Sequence, residues 1–437
     1  MRNKIFCTLF LLIAFQSTWA QTQTMMGIID SGVDVTNKML APHVRVDAPG
    51  WNFIDGNDQL FDYASLKRFN ENHYTFINLG AEVQGGKTLT EAEMAWIKEK
   101  RSSEQFMKEV EELATMIHGT HVAGIAIGKI SANTIMALKV VPTKVSINKD
   151  IPTPSNINSN FLYVWLTKLA LKLAVYANSK NEQAFIRYIH NQKITVANAS
   201  FGIGYQNAQE VIKTIFKKAF RRNPSERELT TCTDYLLDKV LKAQKKTYGK
   251  STDTLFIFAA GNDGSNNDLL PAAPANLGLE NTLSVAATFG RSSLAKFSNY
   301  GKLVDVGAPG VNIPSTGPGD RTVRMSGTSM AAPYVSGVAG ETLAMNPSLT
   351  ARQLKSIILK TVDVKDFLKD KVASSGIVNR ARAVFAAKLS NDLPLEDAII
   401  RANQEIADES IDKDKALLKS KYPMFEYVVP LQSMFQY

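Results

Sequence analysis

Short apolar segments alternate with helical patterns along most of this 437-residue chain, and this alternation limits the fold more than any other feature. Each segment is six to eight residues long and largely apolar, which is typical of strands buried on both faces. The predicted strands cover residues 25–30, 134–141, 194–199, 254–259 and 282–287. Strands that alternate with helices form a mostly parallel sheet covered on both sides. We therefore predict an α/β fold with three layers (helices, sheet, helices) and additional helical insertions.

Three polar residues stand on Gly-flanked elements of this pattern, in the order Asp, His, Ser. Asp30 ends the first predicted strand before a glycine turn, where open α/β sheets place their functional groups. His118 opens a predicted small-residue helix over 118–128, and Ser329 stands at the start of an apolar helix. Taken singly, they have ordinary interpretations as a turn residue, a structural histidine and a helix cap. Taken together, they supply an acid, a base and a nucleophile.

The segments around these residues resemble the motifs of the subtilisin-like serine proteases, the subtilase family (peptidase S8). The matching motifs are GIIDSGVD at 27–34, HGTHVAG at 118–124 and SGTSMAAP at 326–333. The resemblance extends over about residues 25–388 and implies a subtilisin-like fold. It also implies a serine endopeptidase that hydrolyses peptide bonds through an Asp30–His118–Ser329 triad and an acyl-enzyme intermediate.

The resemblance further implies an oxyanion donor and a substrate pocket. Asn262 would donate its side-chain N–H to the oxyanion, together with the backbone N–H of Ser329. The segment 196–202 resembles the family's substrate-binding edge strand, whose backbone pairs with an extended peptide. The implied pocket residues are Ser200, Phe201, Gly202, Ile203, Ala259, Ala260 and Gly261, with residues 272–275 nearby. Because these are mostly small and neutral, they favour an uncharged side chain before the scissile bond, although Asp263 and Asp268 leave a basic one open.

This chemistry requires no cofactor, and no metal site is assigned. His121 shares a helix face with His118, but no Glu or Cys stands at metalloprotease spacing, so we predict a structural role for His121. The acidic loop 55–58 is either a structural calcium site, as in family members, or an ordinary Asx-rich turn. The implied partner is a protein or peptide substrate, with no nucleic acid, and we expect a monomer. The alternative class is a catalytically silent peptide-binding protein on the same fold.

The N-terminal residues indicate export. A basic start, an apolar run at 5–15 and a small residue at Ala20 predict a cleaved signal peptide over residues 1–20. No later apolar run approaches the length of a membrane span, so we expect a secreted or periplasmic protein. Cys232 would then be the only cysteine of the mature chain. We predict that it is half-buried and inert, the alternative being an intermolecular disulfide.

The net charge of +9 is most visible on one predicted amphipathic helix. Its basic residues are Lys213, Lys217, Lys218, Arg221 and Arg222, interleaved with apolar ones. The two interpretations are an ordinary solvated helix face and a contact with a polyanion or a membrane surface.

We expect the peptidase domain to cover residues 21–389 and a C-terminal helical extension to cover 390–437. The intervals 30–118, 151–191 and 205–246 look longer than in compact family members. In the first, a capping box formed by Thr90 and Glu93 predicts a helix that continues to about Leu113.

The control of activity is the main departure from the family pattern. Secreted subtilases usually carry an N-terminal propeptide, but only residues 21–26 separate the predicted signal from the first strand. We hypothesise that the extension, with a helical pattern over 395–419, packs on the domain or regulates it. The residues leave open whether the enzyme has broad specificity or matures one partner protein.

Overall fold

The architecture is given by a computed structural model, which describes residues 24–128, 133–142 and 160–409. The predicted signal peptide at 1–20, the beginning of the insertion at 151–191 and residues 410–437 lie outside the described residues. The strands are β1 Thr24–Asp30, β2 Gly50–Asn52, β3 Asn133–Lys139, β4 Val196–Ala199, β5 Leu255–Ala259, β6 Thr282–Phe289, β7 Ser293–Leu294, β8 Val306–Pro309, β9 Ile313–Gly317, β10 Arg321–Met325, β11 Asp363–Val364 and β12 Gly376–Ile377. The helices are α1 Tyr63–Leu66, α2 Glu71–Gln84, α3 Glu91–Ser102, α4 Glu104–Ala126, α5 Asn160–Asn191, α6 Tyr205–Phe220, α7 Glu226–Tyr248, α8 Thr328–Met345, α9 Ala351–Lys360, α10 Arg380–Leu389 and α11 Leu395–Glu405.

A mostly parallel sheet forms the centre of the molecule. Its strand order is β11–β12–β8–β6–β5–β4–β1–β3–β2, with β7 paired beside β6. The pairs β11–β12 and β6–β7 are antiparallel, and the other neighbours are parallel. All five strands predicted from the sequence are present in this sheet, which confirms the predicted fold class.

The layers follow from the two-residue period of the strands. Successive side chains point to opposite faces of a sheet, so Ile28 and Ile29 enter different cores. Ile28 and Ile257 pack into the core that includes side chains of α4 and α8. Ile29 and Phe256 pack into the core that includes side chains of α5 and α7. The sheet is therefore covered on both faces, as predicted for three layers.

The sequence placed two helix boundaries wrongly, and the reason is Ser103. The predicted capping box is confirmed, because Glu93 N–H donates to Thr90 Oγ1 at 3.2 Å and the Glu93 carboxylate accepts Thr90 N–H at 2.8 Å. That helix ends at Ser102 rather than near Leu113, since Ser103 has an extended backbone and caps the next helix. His118 consequently lies deep inside α4, not at the start of a helix.

The segment 196–202 does not begin as an edge strand, which corrects a second prediction. β4 lies between β1 and β5 in the middle of the sheet, and both neighbours use its backbone hydrogen bonds. A peptide therefore cannot pair with Val196–Ala199. Beyond β4, Ile203 exchanges both backbone hydrogen bonds with Ala273, at 2.8 and 3.0 Å.

The two insertions on either side of β4 form a helical layer from α5, α6 and α7. Ile212 and Phe216 of the basic amphipathic helix α6 point into a small core of their own, together with Cys232 of α7. Cys232 is fully buried, not half-buried as predicted. Burial raises the pKa of its thiol to about 11, so the thiol is protonated at neutral pH.

The start of the C-terminal extension packs on the domain. Ile399 and Ala402 of α11 belong to the main core, and α11 ends at Glu405 instead of continuing through the predicted pattern. The next residues form ion pairs, Asp408 with Arg382 at 3.0 Å and Glu409 with Arg291 at 2.9 Å. Over the residues that the structure describes, no helix is both long and apolar enough to cross a bilayer.

Candidate active site

Asp30 and His118 form a buried pair at the carboxyl end of β1. His118 Nδ1 lies 2.7 Å from Asp30 Oδ1, and each residue is 2% exposed. Asp30 Oδ1 also accepts the Ser31 N–H at 2.8 Å and the Ser31 hydroxyl at 3.2 Å. A carboxylate accepts hydrogen bonds, so the contact places a proton on His118 Nδ1 and leaves Nε2 as the unprotonated nitrogen of the neutral ring.

Gly119 allows α4 to come this close to the strand. A Cβ atom at this position would lie 2.2 Å from the Gly32 carbonyl oxygen and 3.1 Å from Asp30 Cβ. Any larger residue at position 119 would therefore push the helix, and His118 with it, away from Asp30. The small residues around His118 thus serve close packing inside a long helix.

Ser329 lies in the first turn of α8, where backbone N–H groups have no partner within the helix. Its hydroxyl donates to the Ser200 carbonyl oxygen at 3.1 Å, and the Ser200 hydroxyl donates back to the Ser329 carbonyl at 3.0 Å. That carbonyl is available because Pro333, four residues later, has no N–H to donate. The proline inside α8 thus permits a reciprocal link between Ser329 and the chain after β4.

Asn262 follows β5 and is oriented by Thr328. Its side-chain oxygen accepts both the Thr328 N–H and the Thr328 hydroxyl, each at 2.8 Å. The Thr328 hydroxyl in turn accepts the Gly261 N–H at 3.2 Å. With the oxygen held on this side, the amide NH₂ group points the other way. Sequence reasoning missed Thr328, although its position directly before Ser329 in the small-residue motif is the signal that marks it.

The strand register relates these groups to one another. Ile29 of β1 is level with Ala199 of β4, and Ala199 is level with Phe258 of β5. Asp30 and Ser200 therefore leave neighbouring parallel strands at the same edge, with strands about 4.8 Å apart. Asn262 follows the third strand at that edge, where α/β folds place their sites.

One cavity joins the predicted pocket residues with Ser329 and Asn262, the predicted nucleophile and oxyanion donor. All seven residues predicted for the pocket line it, from Ser200 to Ile203 and from Ala259 to Gly261. Asn262 and Ser329 line it as well. The lining residues that sequence reasoning did not include are Gly204 and Thr328. Ala272, Ala273 and Ala275, which the sequence placed nearby, complete the lining.

Asp263 and Asp268, which left open a preference for a basic side chain before the scissile bond, do not line this cavity. Asp268 accepts the N–H groups of Lys302 and Leu303, at 2.8 and 3.1 Å. The Asp268 carboxylate therefore binds the backbone of a neighbouring loop.

The acidic loop after β2 is closed by its own hydrogen bonds. Asn52 Nδ2 donates to Asp55 Oδ2 at 2.9 Å and to Asn57 Oδ1 at 3.2 Å. Within the described ranges, no three His, Cys, Asp or Glu side chains are grouped so that they could hold a metal ion. These hydrogen bonds are typical of an Asx-rich turn, and a calcium site at 55–58 stays a prediction.

His121 is fully buried and ties α4 to the β9–β10 hairpin. Its Nε2 lies 3.1 Å from the Ile313 carbonyl oxygen and 3.0 Å from that of Val323. Burial, together with a smaller effect of nearby His118, lowers the pKa of His121 to about 3. His121 is therefore a neutral hydrogen-bond donor between structural elements.

This lowered pKa predicts a loss of stability in acid. An unfolded histidine binds a proton near pH 6.5, whereas folded His121 does so only near pH 3. Neutral His121 therefore contributes stability above pH 6.5 that is lost as the pH falls. The free energy of unfolding drops by about 1.4 kcal/mol per pH unit, which amounts to about 5 kcal/mol at pH 3. Urea unfolding at pH 7 and pH 4 measures this loss. His121→Gln, which stays neutral throughout, should lower the free energy of unfolding at pH 7 but weaken its pH dependence. Equal pH dependence in the two proteins would contradict the assignment.

Comparison with known proteins identifies a single family. The model of the Subtilase family matches residues 21–382. The cell wall-associated protease of Bacillus subtilis strain 168 is 41% identical over 111 residues, which are 25% of this chain and 12% of that protein. Subtilisin BL of Lederbergia lenta is 35% identical over 133 residues, 30% of this chain and 47% of that protein. These alignments thus span less than half the length of either relative.

A solved structure supports the fold independently of these sequence matches. A chain from the assembly of the subtilase cytotoxin SubAB aligns with a TM-score of 0.50 and 18% identity, covering 86% of this chain and 92% of that one. At this identity the likeness concerns the fold alone.

Proposed function

Because the chain belongs to the subtilase family, we propose that it is a serine endopeptidase whose triad is Asp30, His118 and Ser329. The observation that carries the proposal is the buried 2.7 Å contact between His118 Nδ1 and Asp30 Oδ1. The contact leaves Nε2 to act as the base. It lies at the same edge of the sheet as Ser200, which exchanges two hydrogen bonds with Ser329. A buried carboxylate that fixes the histidine tautomer, at the sheet edge from which the chain reaches Ser329, is the arrangement expected of a triad.

In the proposed reaction, the Ser329 hydroxyl turns from the Ser200 carbonyl towards His118 as substrate binds. His118 Nε2 takes the proton while Ser329 Oγ forms a bond to the peptide carbonyl carbon. Asp30 holds the imidazole in place and stabilises its charged form. His118 then donates the proton to the leaving amine. Water next attacks the acyl-enzyme: His118 Nε2 takes a proton from the water and donates it to Ser329 Oγ as the ester bond breaks.

The charge that develops on the carbonyl oxygen needs donors already in position. The Ser329 N–H and the Asn262 amide would supply two, and Thr328 holds that amide by its oxygen. A donor of this kind contributes about 3 to 4 kcal/mol to transition-state stabilisation. Thr328 is thus a positioning residue, since it acts through Asn262.

The pocket suggests which side chain precedes the scissile bond. Its lining consists largely of Gly, Ala and Ser, with Phe201 and Ile203 as the large apolar residues, and it contains no charged residue. Such a pocket favours an uncharged, apolar or medium-sized side chain over a basic one. We further propose that the protein is exported, with residues 1–20 as the cleaved signal.

Labelling with a fluorophosphonate probe tests whether the nucleophile is activated. Such a probe reacts with a serine only when a neighbouring base removes its proton, so we expect one label per chain, on Ser329. Mass spectrometry of the labelled peptide identifies the position. The matched control is Ser336→Ala, which removes another buried hydroxyl from the same helix and should label normally. A chain that is folded but remains unlabelled would instead indicate a silent peptide-binding protein.

A further inference from the structure

Five large apolar side chains are exposed on one face of α5. They are Leu162, Trp165, Leu169, Leu173 and Tyr176, between 37% and 62% exposed, and we call them the α5 stripe. At 3.6 residues per turn, their spacings of three and four residues place them within an arc of about 80°. The stripe is thus a continuous apolar surface about 20 Å long, at 1.5 Å per residue.

The stripe is separate from the face with which α5 packs on the protein. Leu171 of α5 is buried in the small core shared with α6 and α7, and Val164 and Val175 pack against that core. Elsewhere in the described residues, exposed large apolar side chains are scattered. Scattered ones are normal, but a contiguous apolar patch marks an interaction surface.

The charges that α5 itself places beside the stripe all have one sign. Residues 160–181 contain no Asp or Glu, whereas Lys168, Lys172 and Lys180 are spaced along them. Lys172 lies between Leu169 and Tyr176 on the helix, and Lys180 Nζ lies 5.0 Å from the centre of the Tyr176 ring. Lysines and interfacial aromatic rings beside an apolar face are the features of helices that lie in a membrane surface.

We propose that the α5 stripe docks on the surface of an anionic lipid bilayer. Leu169 and Leu173 would enter the boundary between headgroups and acyl chains, Trp165 and Tyr176 would lie at headgroup depth, and the lysines would contact lipid phosphates. The helix lies on the bilayer and does not cross it. A second copy of the chain fits less well, because pairing two stripes would bring like-charged lysines together without any acidic partner on the stripe.

Vesicle sedimentation tests the proposal directly and does not depend on catalysis. The full chain carrying Ser329→Ala, which cannot digest itself if the proposed function holds, is mixed with vesicles of phosphatidylglycerol and phosphatidylcholine or of phosphatidylcholine alone. We expect binding to the anionic vesicles only, and weaker binding as salt rises. The double variant Leu169→Glu/Leu173→Glu should lower the partition coefficient at least about 100-fold. Lys172→Gln/Lys180→Gln should lower it about 30-fold, since each lysine near the surface contributes about fivefold.

The matched control separates the stripe from general charge. Leu269→Glu/Val364→Glu adds the same two negative charges at exposed apolar residues on other surfaces, and we expect binding to change less than about threefold. Thermal melts establish that all variants are folded. Equal loss in both Glu variants would assign binding to net charge and overturn the proposal. A dimer that dissociates in the Leu169→Glu/Leu173→Glu variant would also overturn the proposal, because it would assign the stripe to a second copy of the chain. No binding by a monomeric chain would overturn it too and would mean that another part of the chain covers the stripe.

Discussion

Ser329→Ala is expected to lower kcat on denatured casein or a chromogenic peptide by about 10⁶-fold, the scale seen when the nucleophile of a triad is removed. Ser329 is 5% exposed, and the substitution deletes its hydroxyl oxygen together with the hydrogen bond to the Ser200 carbonyl. Losing one neutral hydrogen bond costs about 1 kcal/mol, so the fold should persist. Initial rates, with thermal melts of both proteins, separate lost chemistry from lost structure.

The control for this experiment lies two turns further along α8. Ser336 is buried, and its hydroxyl donates to Asn198 and Ala332, so Ser336→Ala removes a comparable hydrogen-bonding group. Its activity should stay within a few-fold of wild type. Hydrolysis by folded Ser329→Ala above about one hundredth of the wild-type rate would mean that another residue is the nucleophile.

The sequence predicted the sheet well because its signal is local. Buried strands such as β5 are short apolar runs that end in small-residue turns, and parallel pairing brings their carboxyl ends to one edge. Asp30 could therefore be assigned to that edge without any coordinates. The residues quoted for the family resemblance then led directly to the buried contact with His118.

The errors arose where a local signal has two physical meanings. Gly119 and its small neighbours suggested a helix start, but they permit close packing in the middle of α4. Thr90 and Glu93 marked the beginning of α3, and nothing as strong marked its end, because Ser103 serves as the C-cap of one helix and the N-cap of the next. Strand order is not local at all, so the central position of β4 could not be read from its residues.

The contacts of Thr328 show a different limit. Its hydroxyl accepts from Gly261 and donates to Asn262, and both partners are more than sixty residues away in the chain. A threonine at a helix start has an ordinary explanation as a capping residue. Only the distances show that it holds the amide of the proposed oxyanion donor.

Asp30→Asn is expected to lower kcat by about 10⁴-fold at pH 7, with little change in KM. Asp30 does not line the cavity, so its loss should affect the proton transfer more than substrate binding. An Asn side chain that turned its NH₂ group towards His118 Nδ1 would force the proton onto Nε2, the nitrogen that must accept it from Ser329. The charge that stabilises the imidazolium form is also removed.

Asp34→Asn provides the comparison for Asp30→Asn. Asp34 is likewise buried and accepts the Tyr63 hydroxyl at 2.6 Å and the Gly319 N–H at 2.9 Å, but its carboxylate has no contact with His118. Titration of folded active sites before each assay removes any effect of lower stability, and kcat per folded site should then stay within about tenfold of wild type. If Asp30→Asn lost no more than Asp34→Asn, the carboxylate of Asp30 would serve the fold rather than the histidine, and the proposed triad would reduce to His118 and Ser329.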